Sequence, residues 1–349
     1  MSIATTHPPC GHSDCAMCRE RGRRRRAADP LAARKAFLSA QRAPPLEVPG
    51  RKQRKLIELR ADIQAGEPAG NEVAYLHSAF CQVGLPRSKP QAERFERFSG
   101  HLGLRLQAGP IFDGAQHASP GLPYGIRPRQ LLLHVTDRYL RTRSRTIELQ
   151  DSLHRFMTKT LCIDASGGPR GAATAFQRQL RALAACHLTI DYRPLPGVGG
   201  RRKSPRGLTV FEVSTPHDSD ATAAESWPKA VTLSREFAAS LRVSAVPLDV
   251  RALRGIQDSA LSLDVYAWLA HRLHRLEQPA VLHWANLRSQ FAHEYDDTKS
   301  FKRAFEKSLE DVLMVYPQAN VLRTFGGFRL APSAPPVRAS IAKRGVLTE

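Results

Sequence analysis

Five side chains able to bind a metal crowd the start of the chain, where HPPCGHSDCAMC sets His7, Cys10, His12, Cys15 and Cys18 in twelve residues. Cys15 and Cys18 have the C-x2-C spacing that lets two thiolates share one tetrahedral zinc ion, and Cys10 with His12 would complete four ligands. A reduced, unstructured thiol cluster is the preferred alternative, since no second distant pair exists and a site so near a chain end has little fold to support it. Apart from that zinc, no cofactor is expected. Bond-making chemistry has less support still. A metal-dependent nicking centre needs two histidines flanking one apolar residue and a nucleophilic tyrosine, whereas the nearest pair, His271-Arg272-Leu273-His274, lies in a helix lined by Trp and Leu. GGPRGAA, from Gly167 to Ala173, lacks the Lys and Ser/Thr of a phosphate-binding loop. No enzymatic activity is expected.

Binding chemistry is richer. A helix predicted from Arg170 to Cys186 turns Ala173, Phe176, Leu180 and Leu183 inward and groups Thr174, Gln177, Arg178 and Arg181 on the opposite face. Arg pairs bidentately with guanine and Gln with adenine in a major groove, so this face suits base readout, with Arg170 at its start. The plain alternative, an amphipathic helix with a solvated side, would be favoured if the helix stood alone. It does not: strand His187 to Tyr192 and strand Leu208 to Val213 flank the loop RPLPGVGGRRKSPRG. Its Arg201, Arg202, Lys203 and Arg206, with Arg193, form a basic wing able to hold phosphates or enter a minor groove. A second helix, capped by Asp297 or Thr298, buries Phe301, Phe305, Leu309 and Val312 and shows Lys299, Lys302, Arg303, Glu306 and Lys307. Its mixed charge fits phosphate contact better than base reading, and a merely solvated face is an equal reading.

The elements that must position these residues come twice in one order: helix, short strand, helix, turn, basic helix, hairpin. The first copy runs from about Pro128 to Ser214. Leu132, Val135 and Tyr139 mark its first helix, Thr146 to Leu149 the strand, and Asp151 caps a helix carrying Leu153, Phe156, Met157 and Leu161. The second runs from about Ser259 to Leu330, with Leu261, Val265, Trp268, Leu269, Leu273 and Leu276 on one helix, a strand at Ala280 to Leu282, and Trp284, Leu287 and Phe291 on the next. Gly326 and Gly327 close its hairpin. Each copy reads as a winged helix. The expected fold is α+β: tandem winged-helix domains behind a disordered basic N-terminal arm. The predicted divisions are an arm at 1–68, a first winged-helix domain with lead-in and connector at 69–245, a second at 246–332, and a mobile Pro-rich tail at 333–349.

Composition agrees with a polyanion partner. Fifty-two Lys and Arg stand against 32 Asp and Glu, a formal charge of +20. Residues 1–60 alone hold 14 basic against five acidic residues, including the unbroken run Arg23 to Arg26. Between that run and the globular sequence lie the Pro-rich QRAPPLEVPG and a segment, Arg51 to Gln64, with helical potential. HLGLRLQ, His101 to Gln107, alternates Leu102, Leu104 and Leu106 as a half-buried strand does, and Trp227 to Leu241 suggests a strand and short helix in the connector. The N-terminus has no apolar run of a signal peptide and no later stretch would span a bilayer, so a cytoplasmic protein without a membrane partner is expected. Cys81, Cys162 and Cys186 sit among apolar residues and read as small buried thiols.

The chain resembles the plasmid RepA replication-initiator family. The resemblance rests on GLPYGIRPRQLLL (Gly121 to Leu133), RTRSRTIEL with DSLHRFM (Arg141 to Met157), GGPRG and QLRAL (Gly167 to Leu183), VTLSREF, VPLDVRALR and LSLDVYAWLAHRL (Val231 to Leu273). WANLRSQF, FKRAF, VYPQA and APSAPPV follow, and YLHSAFCQVGLPRSKP is a weaker match, so about residues 71 to 337 are covered. It implies an initiator that binds repeated sites, or iterons, at a plasmid origin as duplex DNA, helps melt it, engages a host initiator or helicase, and forms a homodimer. It brings no catalytic residues. A winged-helix transcription regulator acting at a promoter is the alternative. Ala292 stands where the family usually has Gly, and residues 1–60 match nothing in it.

Overall fold

The computed structural model describes residues 49–112, 117–149, 152–192, 208–212, 230–291 and 294–342. By its contacts the chain divides into Met1–Gln53, of which residues 49–53 are described, and a compact unit from Arg54 to Glu349 that mixes helix and sheet. The N-terminal Cys/His cluster and the Arg23 to Arg26 run lie outside the described residues.

Helix α1, Arg51–Ala65, is ordered where the basic arm was expected to continue to residue 68. Leu56 and Ile63 lie two turns apart on one face and are buried, while Lys55 Nζ donates to the Arg254 carbonyl at 2.8 Å. Two apolar residues at that spacing suffice to dock a helix whose other positions are mostly charged. β1 (Val73–His77) and α2 (Ser78–Gln82) follow, then a hairpin of β2 (Arg94–Ser99) and β3 (Leu102–Gln107), and two short paired strands, β4 (Ile111–Phe112) and β5 (His117–Ala118). Leu102, Leu104 and Leu106 are all buried, as their alternation predicts.

The first repeat begins with α3, Ile126–Thr142, which buries Leu132, Val135 and Tyr139 and ends where Arg143 takes φ +60° and its N–H donates to the Tyr139 carbonyl. Pro128 sits in its first turn, where the missing N–H has no intrahelical partner to lose. β6 (Thr146–Glu148) leads to α4 (Leu153–Arg155), capped by the Ser152 hydroxyl; Asp151, the expected cap, lies outside the described residues. A π-helical turn, Phe156–Thr160, buries the adjacent Phe156 and Met157 together. α5 spans Ala172–Ala185, two residues later than the pattern predicts. The delay is made by a turn in which Ala173 N donates to the Ser166 carbonyl and Gly171 N to that of Gly168. A Cβ on Gly171 would lie 2.2 Å from the Gly167 oxygen, so only glycine fits there. β7 (His187–Tyr192) and β8 (Leu208–Thr209) complete the repeat.

These strands form a sheet in the order β2-β3-β7-β8. The connector contributes β9 (Ala230–Thr232), which pairs with β6 on one side, and a bridge from Phe211 to Leu233 ties it to the chain leaving β8. A connector strand thus lies between β6 and the strand beyond the wing. Next come α6 (Arg235–Ser244), β10 (Ala245–Asp249) and α7 (Val250–Ile256).

The second repeat is simpler: α8 (Ala260–Arg272), β11 (Ala280–His283), α9 (Trp284–Phe291), α10 (Thr298–Val315), β12 (Val321–Thr324) and β13 (Gly327–Leu330), with strand order β11-β13-β12. Asp297 caps α10, accepting from Ser300 N at 2.8 Å. Gly327 is a strand residue paired with Thr324, so the hairpin turn is Phe325-Gly326 rather than the two glycines. The core is aromatic, with the Trp284 ring edge-on to Phe301, Phe305 and Phe328 at 5.2–6.1 Å.

The two repeats share one core. β1 pairs antiparallel with β10, and Arg129 on α3 meets Asp264 on α8 through two hydrogen bonds of 2.7 and 2.8 Å. Arg129 also donates to the carbonyls of Leu85, Pro86 and Gly125, so all of this buried guanidinium's main partners are fixed. Part of the tail expected to be mobile packs too: Val337 and Ile341 are buried, and Tyr75 Oη donates to the Ala342 carbonyl at 2.5 Å.

Candidate nucleic-acid interface

α5 presents the face its spacing predicts. Phe176, Gln179, Leu180 and Leu183 are buried, Arg178 is exposed, and Thr174, Gln177 and Arg181 are half-exposed beside it. Gln179 is turned inward, where its Oε1 accepts from Tyr124 N at 2.7 Å. This contact locks α5 to the segment before α3 and leaves Gln177 as the helix's outward amide. Partial burial lowers the Arg181 pKa from its usual value, which leaves it a cation at neutral pH. Arg170 is exposed but sits in the turn before α5. Thr174 donates its hydroxyl to the Gly168 carbonyl at 2.7 Å, so its first task is to close that turn. Arg201, Arg202, Lys203 and Arg206 lie outside the described residues.

On α10, Lys299, Arg303 and Lys307 are exposed. Lys302 is half-buried, and its Nζ stands over the Trp284 ring, 5.2 Å from its centre, a cation–π contact made by the ammonium itself. Glu306 is drawn to Arg323 on β12 at 2.8 Å, which turns the helix's one outward carboxylate of that group toward the hairpin. The hairpin adds cations that sequence reading passed over, Arg323 and Arg329, together with the fully exposed Phe325. Placing the turn on the glycine pair hides Phe325; only the strand register reveals it.

Several of the described histidines and cysteines are buried in the fold. Burial lowers the pKa values of His77, His134 and His271 to about 4. His271 Nε2 lies 2.6 Å from Arg275 Nη1, and since a guanidinium only donates, that nitrogen is the acceptor. His274 instead turns Nδ1 to the Ala270 carbonyl, so the two histidines do not face one site. Burial raises the thiol pKa of Cys81, and that of Cys186 to about 12. Cys162 corrects the sequence expectation: it is exposed, with φ +53°, on the rim of a cavity of about 330 Å³ that also touches His134, Lys159 and Arg254. No group of three or more His, Cys, Asp or Glu gathers among the described residues, and none of their helices is long and apolar enough to cross a membrane.

An α+β unit with two repeats of one element order, each exposing a basic helix, is the frame into which the comparisons fall. Residues 122–285, a little under half of the chain, match the model of the family described as plasmid-encoded RepA protein, so this part of the chain is similar to a family of plasmid replication proteins. The match covers the whole first repeat and enters the second as far as the start of α9. No curated protein and no solved structure matches the chain.

Proposed function

We propose that this protein initiates plasmid replication by binding repeated duplex sites at the plasmid origin with two winged helices, without catalysing a bond change. The observation that carries the reading is the second repeat. Its order helix–strand–helix–helix–hairpin, with the first strand beside the last and sheet order β11-β13-β12, supports a winged helix with α10 as its presented helix. The first repeat supports the same plan with β9 interposed. Gln177, Arg178 and Arg181 read base edges. Arg170 and Thr174 add contacts to the duplex at the start of that helix, and Arg201, Arg202, Lys203 and Arg206 hold phosphates, as do Lys299, Lys302, Arg303 and Lys307. Melting of the origin, engagement of a host initiator or helicase, homodimer formation and action in the cytoplasm belong to the same proposal. So does a zinc site at Cys10, His12, Cys15 and Cys18 as the rival to a free thiol cluster; equal metal content in Cys15→Ser and Cys18→Ser protein would remove it.

Gel-shift titration against the DNA flanking its own gene, at several salt concentrations and followed by footprinting, tests the reading. The expected result is protection of repeated sites and a log–log salt slope of about −0.9 per phosphate contacted. Protection of a promoter alone, with the origin replicating in the protein's absence, would make it a transcription regulator instead.

A further inference from the structure

Phe325 is the most exposed large apolar side chain described, at 103% of its reference area, and it stands at the very tip of the β12–β13 hairpin. A two-residue turn with φ +82° at its second central residue requires glycine there, and Gly326 supplies it; the first central residue is under no such demand. A polar residue would serve that position at least as well, so turn chemistry does not explain an aromatic one.

The tip is rigidly mounted. Trp284 N donates to the Gly326 carbonyl at 2.9 Å, pinning the turn from the first residue of α9. Phe328, three residues on, is buried against Trp284 and Phe305, with ring centres 5.2 and 5.8 Å apart. The surroundings are cationic. From Val321 to Leu330 the hairpin holds Arg323 and Arg329 and no carboxylate of its own; Arg323 pairs with Glu306 of α10 at 2.8 Å and would exchange that carboxylate for a phosphate. Across the outer face of the sheet, Val281, Arg329 and Leu322 stand in one row by register, two exposed aliphatic groups on either side of a cation. A broad apolar patch would suit a protein partner; a single ring on a stiff, narrow, basic finger suits a polyanion with a slot between flat surfaces.

We propose that Phe325 is a wedge that enters between stacked base pairs of bound duplex DNA and unstacks them locally, while Arg323 and Arg329 hold the flanking phosphates. This inference rests on the duplex-binding reading above and deepens it, because it names the side chain that would begin to open the helix. Pyrimidine–purine steps, the most easily unstacked, are the expected points of entry.

The test uses the full chain and the footprinted duplex from beside its own gene, with 2-aminopurine placed in turn at successive steps. Wild-type protein should raise the fluorescence of one or two adjacent positions several-fold. Phe325→Ala should return them to the level of free duplex while weakening binding by less than about tenfold, and Phe325→Leu should keep part of the signal. The side chain packs on nothing, so both variants should melt like wild type. Equal unstacking by Phe325→Ala and wild type would overturn the wedge and leave duplex binding standing. A change in sedimentation of the DNA-free protein on Phe325→Ala would also overturn it, assigning the ring to contact between chains. Absence of any duplex binding by wild type would sink the duplex reading itself.

Discussion

The two repeats use one order of elements and differ in what was added to it. In the first, a connector strand is inserted beside β6, the sheet is extended by β2 and β3, and the core around Phe156 and Phe176 holds few rings. In the second, three strands close on themselves around Trp284, Phe291, Phe301, Phe305 and Phe328. The exposed faces differ in the opposite sense. The plainer repeat shows mixed charge and a short pinned hairpin; the elaborated one shows the Gln177, Arg178 and Arg181 face. A compact core stiffens a hairpin, whereas a sheet built into the rest of the unit holds a helix in fixed orientation. The same plan is thereby suited to two tasks.

The sharpest way to break the comparison is to uncouple the halves. Arg129→Ala leaves the Asp264 carboxylate buried without its partner, and loss of one member of a buried pair costs about 3–5 kcal/mol. Denaturant unfolding should show that loss; the wild type, with one shared core, is expected to unfold in a single transition, which should split in two in the variant if each repeat retains structure. Acid should act next. His77 and His134 titrate near 4 when folded and near 6.5 when unfolded, so the unfolded chain binds more protons between those values. Their contribution to stability is whole above pH 6.5 and falls as pH drops toward 4. Both lie before the second repeat, His77 with Nδ1 accepting from Ala79 N and His134 edge-on to Phe156. His271 on α8 of the second repeat is lowered to about 4 in the same way, so hydrogen exchange at pH 5 should quicken on β1, α3 and α8 together; quickening that spares α8 would show that the second repeat holds its histidine differently.

Much of this contrast is legible in the sequence, because it rests on local periodicity. Leu102, Leu104 and Leu106 announce β3, and Phe301, Phe305, Leu309 and Val312 announce the buried face of α10. Trp227 to Leu241 gives β9 and α6 as elements, yet nothing local says that β9 pairs with β6, some eighty residues earlier. Pairing over that distance depends on tertiary packing. The same holds for Arg129 and Asp264, each of which reads locally as a charged residue on a helix. Polar rearrangements within a turn were equally hidden: Thr174 shares the face of Gln177 by spacing but spends its hydroxyl on Gly168. At Phe325 a glycine pair pointed to the hairpin while strand register, one residue displaced, chose its tip.

The smaller predictions sharpen the division between reading and anchoring. Arg181→Ala in the first repeat should cost about 1–3 kcal/mol of discrimination between the preferred duplex and a mismatched one, measured by competition gel shift. Arg303→Ala in the second should weaken every duplex to a similar degree and reduce the salt slope by about 0.9, the share of one phosphate contact. Arg303 is exposed on α10, so its loss should leave folding almost untouched and the effect should lie in binding alone. The two substitutions remove the same charge from the same kind of helix. If both change discrimination, or both change only the salt slope, the repeats share one task and their different cores have another cause. If each moves its own quantity, the difference in construction is a difference in use.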